Sequence, residues 1–255
     1  MILTDTHTHL YSKEFDGDRR EVIQKAIDNN ITRFFIPAID SSHTKNMYKL
    51  EQDFEENIFL MMGLHPTSVN ENFEEELQHI EKQFENRDFF AVGETGIDLY
   101  WDKTFLKQQQ LAFKHQIQLA KRKRLPIVIH CRNAFDEIFE VLESEKGDGL
   151  FGIFHCFTGN LEQARTALSY NMKLGIGGVA TFKNGGLDKF LKEIPLKDIV
   201  LETDSPYLAP APFRGKRNES SYLKLIAEKV AEIYDLDLEK IAEITTQNSR
   251  DIFKV

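Results

Sequence analysis

The sequence predicts an α/β fold, a (β/α)8 TIM barrel running through residues 1–255 as one domain, and three observations carry that expectation. Short apolar or β-branched runs alternate with longer amphipathic stretches along the whole chain, the pattern of parallel βα units. Eight such units are present. The length of 255 residues, 41% of them hydrophobic, matches the roughly 250 residues that a barrel of this kind uses.

Ile2–Thr6 opens the series, followed by a helix over Arg19–Asn29 in which apolar residues recur three or four apart among charges. Arg33–Ala38, Phe59–Gly63 and Phe89–Glu94 supply the next three strands, each a nearly continuous apolar run, as expected of a strand covered on both faces. The helix Thr104–Arg124 ends before Pro126, which marks the joint to the strand Ile127–His130. Helix Ala134–Glu145 leads to the strand Gly152–Cys156, and Lys173–Ile176 and Ile199–Glu202 complete the set. A loop of Pro, Gly and basic residues, PYLAPAPFRGKRNES, then precedes two helical segments, Ser221–Tyr234 and Leu238–Ile244. An open doubly wound sheet, the alternative for eight strands, usually carries a Gly-rich phosphate turn after an early strand, and none is present. Gly175, Gly177 and Gly178 follow the seventh strand and read as tight packing at the barrel rim.

A net charge of -9 argues against broad adhesion to nucleic-acid backbones, so any polyanionic substrate must be attracted locally. The two cysteines, Cys131 and Cys156, are too few for a disulfide framework and read as reduced core residues. MILTDTHTHLY lacks the basic and apolar regions of a signal peptide, and no run of about 18 apolar residues occurs. A cytoplasmic monomer with no membrane partner is expected.

Chemistry in such barrels sits at the C-terminal ends of the strands, and the unusual polar residues gather there. The first strand ends in DTHTH; side chains two apart on an extended segment share a face, so His7 and His9 can point together into the mouth and chelate a divalent metal. The fourth ends in GETGID, where Glu94 is a costly choice at an apolar barrel end without a compensating cation, and a bridging carboxylate is its natural role. VIHCR and IFHCF place His130 and His155 at matching positions on neighbouring strands, and LETDSP brings Glu202 and Asp204. A lone histidine is more often a hydrogen-bonded core or surface residue. Six metal-compatible residues at one end of five strands point instead to a metal site, with a purely structural hydrogen-bond network as the alternative.

His65, in MGLHP after the third strand, suits a substrate or phosphate contact. His43, His79 and His115 fall among helical charges and read as solvated. Cys131 and Cys156 each follow a candidate ligand and are expected to face away from the mouth. Arg214, Lys216 and Arg217 are candidates for backbone phosphates, or else a solvated basic loop. Tyr100, Trp101 and Tyr207 are candidates for base stacking, or else packing.

Together these motifs closely resemble the TatD family of metal-dependent deoxyribonucleases, within the superfamily of amidohydrolase-like barrels. DTHTHL, GLHP (Gly63–Pro66), GETGID (Gly93–Asp98), IHCRNA (Ile129–Ala134), FHCFTG (Phe154–Gly159), ETDSPYL (Glu202–Leu208) and RGKRNE (Arg214–Glu219) carry the resemblance through nearly the whole chain. It implies a site for two divalent ions, magnesium or manganese for activity, with zinc, iron or nickel as alternatives when bound. His7, His9 and Asp204 would surround the first, His130 and His155 the second, and Glu94 would bridge them. Asp204 and Glu94 would be catalytic, with Asp204 taking the proton of the attacking water. Glu202 would orient a ligand from behind or else lie on the surface, and His65 and Arg214 would contact substrate.

Relatives in the wider superfamily often bridge their metals with a modified lysine at the end of strand four. Glu94 in that place points towards the nuclease branch, whose members trim single-stranded DNA, or RNA, from the 3′ end. Ser220 stands where the family commonly has a proline, and Leu99 and Trp101 alter its tyrosine-rich stretch. Hydrolysis of an ester, lactone or amide at the same site, and a non-catalytic metal-binding scaffold, are the rival readings.

Overall fold

The computed structural model describes residues 1–255. Eight strands follow in chain order: β1 (Leu3–Asp5), β2 (Ile31–Ile36), β3 (Ile58–Leu60), β4 (Val92–Asp98), β5 (Ile127–Arg132), β6 (Gly152–Phe154), β7 (Met172–Ile176) and β8 (Ile199–Leu201). All neighbouring pairs are parallel, and they form a three-stranded piece, β1 to β3, and a five-stranded piece, β4 to β8. Two seams close the circle. Between β3 and β4, the Phe90 amide donates to the Leu60 carbonyl (2.9 Å) and Gly93 to Met62 (3.0 Å); between β8 and β1, Thr6 donates to Leu201 (3.1 Å) and Asp204 to His7 (2.9 Å).

Helices make most of the crossovers: α1 (Arg19–Asp28), α2 (Thr44–Asp53), α3 (Phe73–Asn86), α4 (Leu106–Lys123), α5 (Phe135–Ser144) and α6 (Leu161–Ser169), with α7 (Leu223–Tyr234) and α8 (Leu238–Phe253) after β8. The β7 to β8 crossover has no α-helix and is built from short 3-10 turns between Gly178 and Asp198. No helix is long and apolar enough to cross a membrane.

Strand alternation sorts the core into two faces. Phe35, Met61, Val128, Ile153 and Val200 form one cluster inside the barrel, while their neighbours Phe34, Ile36, Ile127, Ile129, Phe154 and Leu201 join the larger core beneath the helices. The sequence-expected ends of the strands need correcting in ways that matter for the site. β4 runs four residues past Glu94, and β6 and β8 stop at Phe154 and Leu201, so His155, Glu202 and Asp204 lie just beyond strand geometry. α8 also continues well past Ile244, because Ile252 and Phe253 join the inner cluster, the Phe253 ring stacking on Phe35 at 3.8 Å.

The glycine-rich stretch at the end of β7 and just beyond it packs as the sequence suggests. A Cβ at Gly175 would run into the Glu202 carboxylate, and one at Gly178 into the Leu208 carbonyl.

Candidate metal centre

Glu94 occupies the centre of the barrel mouth and is only 2% exposed. Its Oε2 faces His7 Nε2 at 3.0 Å and His9 Nε2 at 3.5 Å. Its Oε1 faces His130 Nδ1 at 2.9 Å, His155 Nε2 at 3.0 Å and His65 Nε2 at 3.2 Å. Asp204 closes the first side, with Oδ1 3.6 Å from His9 Nε2 and 3.9 Å from His7 Nε2. The structure thus brings all six candidate ligands together and adds His65 to them. Three overlapping groups have the spacing to hold a cation: His7, His9 and Glu94; His7, His155 and Asp204; and His65, Glu94 and His130.

Partners behind the rings decide which nitrogen carries the proton. Glu202 Oε1 accepts from His155 Nδ1 (3.1 Å), and Asp98 Oδ2 accepts from His130 Nε2 (2.9 Å). In the neutral rings this leaves the lone pairs of His155 Nε2 and His130 Nδ1 aimed at Glu94 Oε1. The Tyr11 hydroxyl sits on His9 Nδ1 (3.1 Å), again leaving Nε2 to face the centre. His65 differs. The Thr67 amide donates to its Nδ1 (3.2 Å), which puts the neutral ring's proton on Nε2, so that this nitrogen donates to Glu94. In this arrangement His65 acts as a donor towards an anion.

Burial alone would lower the pKa of His155 and His130, yet Glu94 and Glu202 hold His155 well above the usual imidazole range and Asp98 and Glu94 raise His130. Protons thus occupy the positions between these nitrogens and the carboxylate that a divalent cation would take over. Burial alone would raise the Glu94 pKa, yet the surrounding imidazoles of His155, His65 and His7 hold its carboxyl well below the usual range. Burial pushes His7 down, and its Nδ1 is buried with no partner. Burial would raise the Asp204 carboxyl too, but His9, His155 and His7 keep it low.

Glu202 is fully buried, so the surface alternative for it is excluded; besides His155 it accepts from the Cys156 amide at 2.6 Å. The sequence reading assigns no role to Asp98, which holds His130 from behind, or to Tyr11. The signal for Asp98 was available: Glu94, Gly96 and Asp98 are two apart on β4 and share a face, as His7 and His9 do. Gly96 has φ +141°, and a Cβ there would strike the His130 carbonyl, so only glycine lets β4 pass so close to β5.

A cavity of about 920 Å³ opens from this centre, lined among others by His65, Trp101, Arg132, Tyr207, Arg214 and Lys216. Contrary to expectation, Cys131 and Cys156 line it as well. Alternation does not apply to Cys156, which lies past the end of β6 with φ +44°. Burial raises both thiols, Cys131 to about 12. Arg217 turns away from the cavity and pairs with Asp18 through both terminal nitrogens (2.8 and 2.6 Å). His43, His79 and His115 stand apart from the site, bonded to Asp40, Thr44 and Glu81 and half-buried rather than fully solvated.

Comparison with known proteins places the chain in a family. The family model described as TatD related DNase matches residues 4–254. The metal-dependent hydrolase YabD of Bacillus subtilis (strain 168) is 40% identical over 257 residues, covering 100% of both chains. The 3'-5' ssDNA/RNA exonuclease TatD of Pantoea ananatis is 29% identical over 98% of each chain. The crystal structure of YjjV, a TatD homologue from Escherichia coli K12, superposes with a TM-score of 0.93 at 26% identity, covering 99% of this chain and 98% of that one.

Proposed function

Because the chain belongs to the TatD-related DNase family, we propose that this metal-dependent hydrolase removes nucleotides from the 3′ end of single-stranded DNA, with magnesium or manganese as its working ions. His7, His9 and Asp204 would hold one ion, His130 and His155 a second, and Glu94 both. Divalent ions bound there supply Lewis acidity to phosphoryl oxygens and make water a better nucleophile near neutral pH. The observation that carries the reading is the convergence of ring nitrogens on both oxygens of one buried carboxylate, with the outer nitrogens of His130 and His155 already committed to Asp98 and Glu202. That convergence supports a cation site, in which a divalent ion would replace the protons through which His130 and His155 otherwise bond to Glu94.

The chain's own groups divide the remaining work. Asp204 is kept ionised at the edge of the cavity and can accept the proton of the attacking water. His65 offers its Nε2 proton to a phosphate oxygen, and Arg214 lines the same cavity without a carboxylate partner, leaving its guanidinium for the strand's backbone. The activity named for the Pantoea ananatis relative supports this choice of substrate and polarity.

The test uses metal-stripped protein and end-labelled single-stranded DNA with magnesium, manganese or zinc restored in turn. Shortening from the 3′ end is expected with metal only, and Asp204→Asn should lower kcat at least about 100-fold. DNA left intact by a protein that binds two ions would sink the nuclease reading and send the search to esters, lactones and amides.

A further inference from the structure

Trp101 is 69% exposed, the most of the eight large hydrophobic side chains that stand out from the surface, and its neighbour Tyr100 is 54% exposed. Their rings meet edge to face at 4.9 Å and 88°. The Arg132 guanidinium lies 3.8 Å from the Tyr100 ring centre and 5.4 Å from that of Trp101, and it enters no ion pair. Trp101 and Arg132 both line the cavity that holds Glu94 and Asp204. The strand register fixes this group in place, since Asp98 on β4 is the partner of Arg132 on β5. One carboxylate ties it to the centre: Asp98 Oδ1 accepts from the Tyr100 amide (2.9 Å) and the Trp101 amide (3.2 Å), while Oδ2 holds His130 (2.9 Å).

We propose that Tyr100, Trp101 and Arg132 form a stacking platform for a nucleobase of the substrate strand, held in register with the metal centre by Asp98. The proposal rests on the nuclease reading and says which part of the substrate is gripped. An exposed indole beside an unpaired guanidinium offers a π face to the base and a cation to the adjoining phosphate. Every base has such a face, so the platform grips without reading sequence. Asp98 is here a positioning residue, and the group that touches substrate is the aromatic pair with Arg132.

Trp101 is the sole tryptophan, so the intrinsic indole fluorescence of the protein reports on this one position. Phosphorothioate oligothymidylate added to the wild-type protein should quench it, and an abasic oligomer of the same backbone should not. In steady-state cleavage of single-stranded oligothymidylate, Trp101→Ala should raise KM about tenfold with kcat little changed, as the loss of one stacked base implies. Trp101→Phe should restore KM to within about twofold, and neither variant should alter KM for the abasic strand. Unchanged fluorescence and unchanged KM in a protein that still cuts DNA overturn the platform and leave the nuclease reading standing. Absence of both binding and cutting removes both.

Discussion

Asp98 joins two functions that lie on opposite sides of its carboxylate, and its substitution separates them from folding. Asp98→Asn keeps the size of the side chain but loses the charge that fixes the His130 proton on Nε2. Metal affinity should fall 10- to 100-fold in calorimetric titration. An affinity within twofold of wild type would mean that His130 is oriented by packing alone. Asp40, away from the ligands, allows a cleaner electrostatic test. Hydrogen bonds from His43, Ser42 and Ser68 hold its carboxyl far below the ordinary range against partial burial. A depressed carboxyl contributes stability that is present above its unfolded pKa of about 3.9 and is lost as the pH falls through its folded value. Asp40→Asn should therefore destabilise at pH 7 and approach the wild type in strong acid; a difference independent of pH would show that its charge is irrelevant. The six candidate ligands were legible because each stands in its own motif at a strand end. Asp98 could have been read from its spacing to Glu94 on the same strand face, but Tyr11 could not, because its part depends on which nitrogen of His9 faces inward, and spacing does not record that.

At the level of elements, β4 departs most from its sequence reading. Gly93 and Gly96 look like a strand terminus, yet they let the backbone continue to Asp98 in close contact with β5. Gly96→Ala combines a φ of +141° with a Cβ driven into the His130 carbonyl. We expect a loss of at least about 3 kcal/mol in urea unfolding, or no soluble protein. A loss below about 1 kcal/mol would mean that the strand shifts freely there. The end of α8 was hidden for a different reason. Thr245, Asn248 and Ser249 look like a polar tail, but they are buried, and Asn248 Nδ2 donates to the carbonyls of Leu196 (2.8 Å) and Ile199 (2.7 Å) at the entry to β8. Polar residues that satisfy carbonyls inside a fold carry no periodicity to mark them.

For the whole molecule, the eight-unit alternation was enough to specify the barrel, since parallel strands buried on both faces leave long apolar runs. The missing helix between β7 and β8 was not legible, because short 3-10 turns have no repeat to detect. The net charge of -9 agrees with a mouth whose positive groups, Arg132, Arg214 and Lys216, are few and local. The division of the sheet into three strands and five has a mechanical meaning. His7 and His9 follow β1 of the smaller piece, while Glu94 and His130 lie in strands of the larger and His155 and Asp204 just past its strands β6 and β8. Ions shared between the two pieces would act as rivets across both seams, so that cofactor loading and barrel closure become one event. Amide hydrogen exchange can see this: metal should slow exchange at Thr6, Gly93 and Asp204, which bond across the seams, and leave Ile129 and Phe154, inside the larger piece, unchanged. Equal protection everywhere would show that the closed barrel holds itself shut, and that the ions serve chemistry alone.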